Sequence, residues 1–159
     1  MPKLMHFFDQ QGAEQCLLEA ISKGKRKIQI FASLVKPPLF DSAACLESLS
    51  CFARSSRSAY MEILIEDQRI FLECYPALLA LSQRLTGHIE IRSVPVDIRS
   101  GTACFLIGDL SALWLVPNKA YLSGTYQPSA KIQASQYADR FLYFWERSKQ
   151  PEELRRLSF

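Results

Sequence analysis

A chain of 159 residues, 48% hydrophobic and 22% charged, is long enough to bury one full core and most simply forms one domain over residues 1–159. Its net charge of +3 falls well short of a dedicated nucleic-acid binder, and no run reaches the roughly 18 apolar residues that a membrane helix needs. The 5 cysteines (Cys16, Cys45, Cys51, Cys74, Cys104) include no C-x-x-C pair, and the opening Met1-Pro2-Lys3-Leu4-Met5-His6 is too broken for a signal peptide. Buried, reduced thiols and a cytoplasmic location are expected.

Residues 4–8 read as a first strand. Asp9 is placed to cap a helix whose stripe is Cys16, Leu17, Leu18 and Ile21, ending near Gly24. Lys23, Lys25, Arg26 and Lys27 cluster at the following turn, and residues 27–33 form an apolar strand. Pro37-Pro38 marks a rigid loop, after which Asp41 is placed to cap a helix with the face Cys45, Leu46, Leu49 and Phe52. Residues 54–58 are a polar connector carrying Arg54 and Arg57, and residues 60–66 are a strand. Leu78, Leu81 and Leu85 mark a third helix, residues 88–92 a strand, and residues 94–102 a polar loop.

Residues 103–107 and 112–116 are continuous apolar runs joined by Gly108-Asp109-Leu110-Ser111. So short a link turns the chain back into a hairpin, and the lack of polar alternation places it where both faces are covered. Residues 120–123 are expected to extend this meander. Ala134, Ala138, Phe141 and Trp145 give a long last helix, and Pro151-Glu152-Glu153 opens a short terminal turn or helix. This order predicts an α/β fold: a single layered domain with a mixed, mostly parallel sheet and helices on both faces.

Two histidines, His6 and His88, read as structural. No zinc spacing, phosphate-binding glycine loop or G-x-S-x-G elbow occurs, so neither a metal nor a cofactor is expected. Cys74 and Cys104 read as core residues. In open α/β sheets ligands lie at the carboxyl ends of strands. Ser33 and Lys36 follow the second strand, Glu66-Asp67 the third, Arg92 the fourth, and Asp109 ends the first hairpin strand; together they form a candidate crevice of both charge signs. Lys23, Lys25, Arg26, Lys27, Arg54 and Arg57 all precede strands and form a candidate basic patch.

Residues 102–119 resemble one half of a phospholipase D-type domain. That superfamily carries H-x-K-x4-D on one hairpin strand and G-S-x-N on the next. Asp109 matches the family aspartate. Thr102 then stands at the histidine, Cys104 at the lysine, and Val116-Pro117-Asn118-Lys119 over G-S-x-N with the asparagine one residue out of register. In the family the histidine is the nucleophile and the lysine neutralises phosphate. Threonine without a base and cysteine without a fixed charge do neither, so the resemblance implies the fold and argues against the chemistry. KIQIF, ILIED, LLALSQRL, IEIR, FLIGD and FLYFWERSKQPEELRRL, in that order, are similar to a group of bacterial phospholipase D-like domains found alone or joined to a GNAT-type acetyltransferase.

The function expected first is therefore a non-catalytic, degenerate phospholipase D-like domain that binds a protein partner or acts as an accessory module, with self-association through a strand edge or the aromatic helix open. The alternative is a nucleic-acid or phosphate-binding module using the basic residues. A hydrolase built from Asp67, Asp109 and Cys104 is the third reading.

Overall fold

The computed structural model describes residues 3–33, 36–99, 101 and 103–151. Seven strands and five α-helices follow in the order β1 (Met5–Phe7), α1 (Gln10–Lys23), β2 (Lys27–Phe31), α2 (Ala43–Arg54), β3 (Tyr60–Ile65), α3 (Gln68–Cys74), α4 (Pro76–Arg84), β4 (Ile89–Ser93), β5 (Cys104–Gly108), β6 (Ala112–Val116), β7 (Gly124–Gln127) and α5 (Lys131–Arg147). They make one sheet in the order β1-β7-β6-β5-β2-β3-β4. None of these helices is long and apolar enough to cross a membrane.

The sheet is mixed but mostly antiparallel, which corrects the expected parallel majority. Only β2–β3 and β3–β4 are parallel. The pairs β1–β7, β7–β6, β6–β5 and β5–β2 are antiparallel. Helical crossovers produce just two parallel steps. The loop after β4 then carries the chain back to the far side of β2, where β5 enters in the opposite direction. From there short links can only return the chain antiparallel. Consequently the carboxyl ends of β1, β2, β3, β4 and β6 share one end of the sheet with the amino ends of β5 and β7.

Each face of the sheet is covered. On one side Ile28, Ile30, Met61, Ile63, Leu106 and Trp114 pack with Leu17, Ile21, Leu49 and Leu78 of α1, α2 and α4. Trp114 is fully buried; its indole N–H donates to the Ala13 carbonyl at 3.1 Å, and its ring lies 5.6 Å from Phe7 and 5.9 Å from Phe40. On the other side Phe31, Leu64, Phe105, Ile107 and Leu113 meet Phe141, Phe144 and Trp145 of α5. Thus Phe141, Phe144 and Trp145 of the last helix are core, as their spacing suggests, whereas Tyr143 beside them is exposed.

Asp9 caps α1 by accepting from the Gly12 N–H at 2.7 Å. Asp41 does not cap α2; Ser42 does, accepting from the Cys45 N–H at 3.2 Å. Asp41 instead reaches across to α4 and accepts from the Leu78 N–H at 2.8 Å. The single helix expected around Leu78 has a short companion before it, α3, which the sequence reading missed; Pro76 opens α4 immediately after. The third strand of the meander is Gly124–Gln127 rather than 120–123, because Asn118 holds residues 118–121 in a turn through its carbonyl and side-chain oxygen. None of the five cysteines is in a disulfide. Cys51 is exposed, against the expectation of buried thiols, whereas burial pushes the Cys45 thiol up to about 12, with Glu14 and Asp41 adding to the shift. The terminal segment expected after Pro151 and the motif position Thr102 lie outside the described residues.

Candidate nucleic-acid interface

The amino ends of β2 and β3 are reached through two loops, one after α1 and one after α2. Asp109 organises the first. Its carboxylate accepts from the backbone N–H groups of Lys25 (2.9 Å), Arg26 (2.8 Å) and Lys27 (2.9 Å). Its own N–H donates to the Lys27 carbonyl at 2.8 Å. These bonds hold the carboxylate against the main chain, and among the described residues no cationic side chain forms an ion pair with it.

The second loop is fastened to the first. The Tyr60 N–H donates to the Arg26 carbonyl at 3.0 Å, and the Ser55 hydroxyl closes α2 on the Phe52 carbonyl at 2.7 Å. The candidate basic residues are therefore brought to one end of the sheet. Lys23 pairs with Glu19 at 3.8 Å and Lys27 with Glu62 at 3.1 Å. Lys25, Arg26, Arg54 and Arg57 are exposed and have no carboxylate in ion-pair range among the described residues. Arg84 in the last turn of α4 faces the same end, since α4 runs back to the amino end of β4.

The crevice lies at the opposite end of the sheet, and its contents differ from the expected set. A cavity of about 290 Å³ is lined by Ser33, Glu66, Asp67, Arg99 and Lys119. Lys119 meets Glu66 at 2.9 Å, and the Arg99 guanidinium donates to the Glu66 and Val94 carbonyls. Ser33 donates to the Ala103 carbonyl at 2.6 Å, and Asp67 caps α3 on the Ile70 N–H at 3.1 Å. Each polar group is engaged within the protein and the charges balance. Arg99 and Lys119 were not among the crevice candidates, because both arrive on loops whose path no local pattern reveals.

Three expected members are elsewhere. Arg92 does not line the crevice; it sits on the far edge of the sheet, bonded to Glu90 at 2.6 Å and the Trp145 carbonyl at 2.9 Å, with its guanidinium 4.2 Å from the Trp145 ring centroid. Lys36 is exposed on the loop after β2. Asp109 is at the basic end, since β5 runs against β2; it cannot share a site with Asp67. Cys104 is fully buried beside Val116, its partner on β6. The trio Asp67, Asp109 and Cys104 is thus not assembled. Beside Arg92, burial alone would raise the Glu90 carboxyl, but hydrogen bonds from Tyr60 (2.7 Å) and Arg92 outweigh it and hold the group below its ordinary value. The Tyr60 phenol is pushed up, first by burial and then by that bond.

A sequence model described as a domain of unknown function, DUF7931, matches residues 9–157. No curated protein matches the sequence. Among solved structures, the chain is similar to Nuc from Salmonella typhimurium, a phospholipase D family member, with a TM-score of 0.68, 15% identity, and coverage of 95% of this chain and 99% of Nuc. NucT from Helicobacter pylori gives 0.57 at 9% identity over 95% of this chain and 100% of NucT. TrmBL2, an archaeal chromatin protein whose structure shows a novel mode of DNA binding, gives 0.68 at 10% identity over 94% of this chain. The chain spans 54% of TrmBL2, about half its length. At these identities the likeness is one of fold, and the fold is phospholipase D-like.

Proposed function

The chain belongs to the DUF7931 family, and from the geometry of its basic end we propose that it is a phospholipase D-like module that binds nucleic acid by the phosphate backbone without hydrolysing it. One observation carries the reading. Lys25, Arg26 and Arg57, on two tied loops, and Arg54, in the last turn of α2, stand exposed at one end of the sheet with no carboxylate partner among the described residues. Exposed cations gathered at one end of a fold are what binding to a phosphate backbone requires.

Two further points support it. TrmBL2, similar in fold, is a DNA-binding chromatin protein. Threonine and cysteine at the positions where the phospholipase D motif has histidine and lysine remove both the nucleophile and the phosphate-neutralising charge. Five cysteines outside any disulfide fit a reducing, cytoplasmic location.

Titration of labelled DNA and RNA at low and moderate salt tests the proposal. Four phosphate contacts give a slope of log K against log salt of about −3.6 on duplex DNA, and K25E/R26E removes most of the binding. Absence of saturable binding at low salt overturns this reading and returns a protein-interaction role to the front. Cleavage of the bound strand, with or without divalent metal, overturns the non-hydrolytic half.

A further inference from the structure

We infer that the basic end takes double-stranded rather than single-stranded nucleic acid and reads no base sequence. This inference rests on the proposed nucleic-acid reading and narrows it to one class of ligand.

The first ground is where the aromatic rings are. Sequence-tolerant binding of a single strand depends on aromatic platforms on which unpaired bases stack. Among the described residues, the exposed phenyl and phenol rings lie away from the free cations. Phe8, 80% exposed, follows β1 directly, and Phe7 pairs with Gly124 at the carboxyl end of β2. Tyr121, 68% exposed, lies on the loop between β6 and β7 at that same end. Tyr143 belongs to the half of α5 that approaches Arg92, and the Arg147 guanidinium covers it at 3.9 Å. At the basic end Tyr60 is half-buried with its hydroxyl on Glu90, and Leu110 is exposed but has no ring.

The second ground is which donors remain available. Base edges are read by donors held in fixed directions. The backbone N–H groups of Lys25, Arg26 and Lys27 are already given to Asp109. The carboxyl ends of α1, α2 and α4 converge here on the face that carries the free cations; α5 begins at the same end but packs on the other face of the sheet, with the Ala130 N–H before it given to the Ser111 carbonyl at 2.7 Å. What remains is long, flexible, charged side chains. These respond to charge density, and a duplex presents one phosphate per about 1.7 Å of axis, twice the density of one strand.

The test is an anisotropy titration of the intact chain with a labelled duplex, its separated strand, and a second duplex of unrelated sequence. The duplex is expected to bind at least about fivefold tighter than the strand, and the two duplexes to agree within about twofold. Removing three phosphate contacts with K25A/R26A/R57A is expected to flatten the salt slope by about 2.7. Those residues are exposed on loops, and an unchanged melting temperature shows that the variant is folded. Equal or tighter binding of the strand, or more than about tenfold discrimination between the duplexes, overturns the inference and leaves the proposed function standing. Failure of every nucleic acid to bind overturns both.

Discussion

Asp109 shows how one residue decides a site through its backbone. It has a φ of +52° and Leu110 one of +56°, so the turn between β5 and β6 is built from two left-handed residues, the combination that matches strand twist in a tight hairpin. Aspartate tolerates that conformation better than most residues. The turn aims the carboxylate at three N–H groups of the α1–β2 loop. Asp109→Ala loses these charge-assisted bonds and adds left-handed strain, and is expected to cost about 2–4 kcal/mol. Asp109→Asn keeps the conformation and an acceptor oxygen, and is expected to cost about 1–2 kcal/mol. Denaturant unfolding of both variants checks the order. The place of Asp109 at the end of an apolar strand is legible in the sequence; its use as a loop anchor is not, since its partners are 82 to 84 positions away.

Among the elements, β7 is set by close approach rather than propensity. At Gly124 a Cβ would collide with the Leu115 carbonyl of β6 and crowd the Phe7 ring. Only glycine lets the two backbones meet there. Gly124→Ala is therefore expected to destabilise the protein by about 2–4 kcal/mol, by splaying β7 and the edge strand β1 from β6. Comparison of unfolding midpoints, with hydrogen exchange at Thr125 and Tyr126 as the local readout, tests this; unchanged protection there refutes it. The helices reveal the opposite balance. Local signals sufficed for α1, whose cap Asp9 and apolar stripe stand in plain sequence. α3 escaped because a seven-residue helix spans too few turns to show a period. The basic residues also divide by element. Lys23, Arg54 and Arg84 lie in the last turns of α1, α2 and α4, where they compensate the helix dipoles. Lys25, Arg26 and Arg57 lie beyond the helix ends, and their full charge faces outward.

At the scale of the molecule, the contact between β4 and the end of α5 ties the sheet edge to the opposite layer. Arg92 bonds Glu90 and the Trp145 carbonyl and covers the indole ring. Glu90 is held below its unfolded value, so the stability it contributes is present above about pH 4.3 and is lost as pH falls through the folded pKa. The melting temperature is accordingly expected to fall more steeply between about pH 5 and 3 in the native chain than in Glu90→Gln, the two curves converging at the acid end. Parallel curves refute the assignment. Charge is also partitioned by the whole fold. One end of the sheet carries cations with no ion-pair partner among the described residues, and the other a balanced crevice of Glu66, Asp67, Arg99 and Lys119.

Most of the strands, the long helices and the apolar hairpin are legible in the sequence, because each is written in periods, caps and residue types within a few positions. The tertiary structure alone decided that β5 lies against β2 and runs opposite to it. Strand direction follows from where a crossover delivers the chain, and local pattern carries no trace of that. Strand direction in turn decides which end of the sheet each terminal side chain occupies. For that reason Asp109 anchors the loop after α1 instead of joining Asp67, and Arg92 meets Trp145 instead of the crevice.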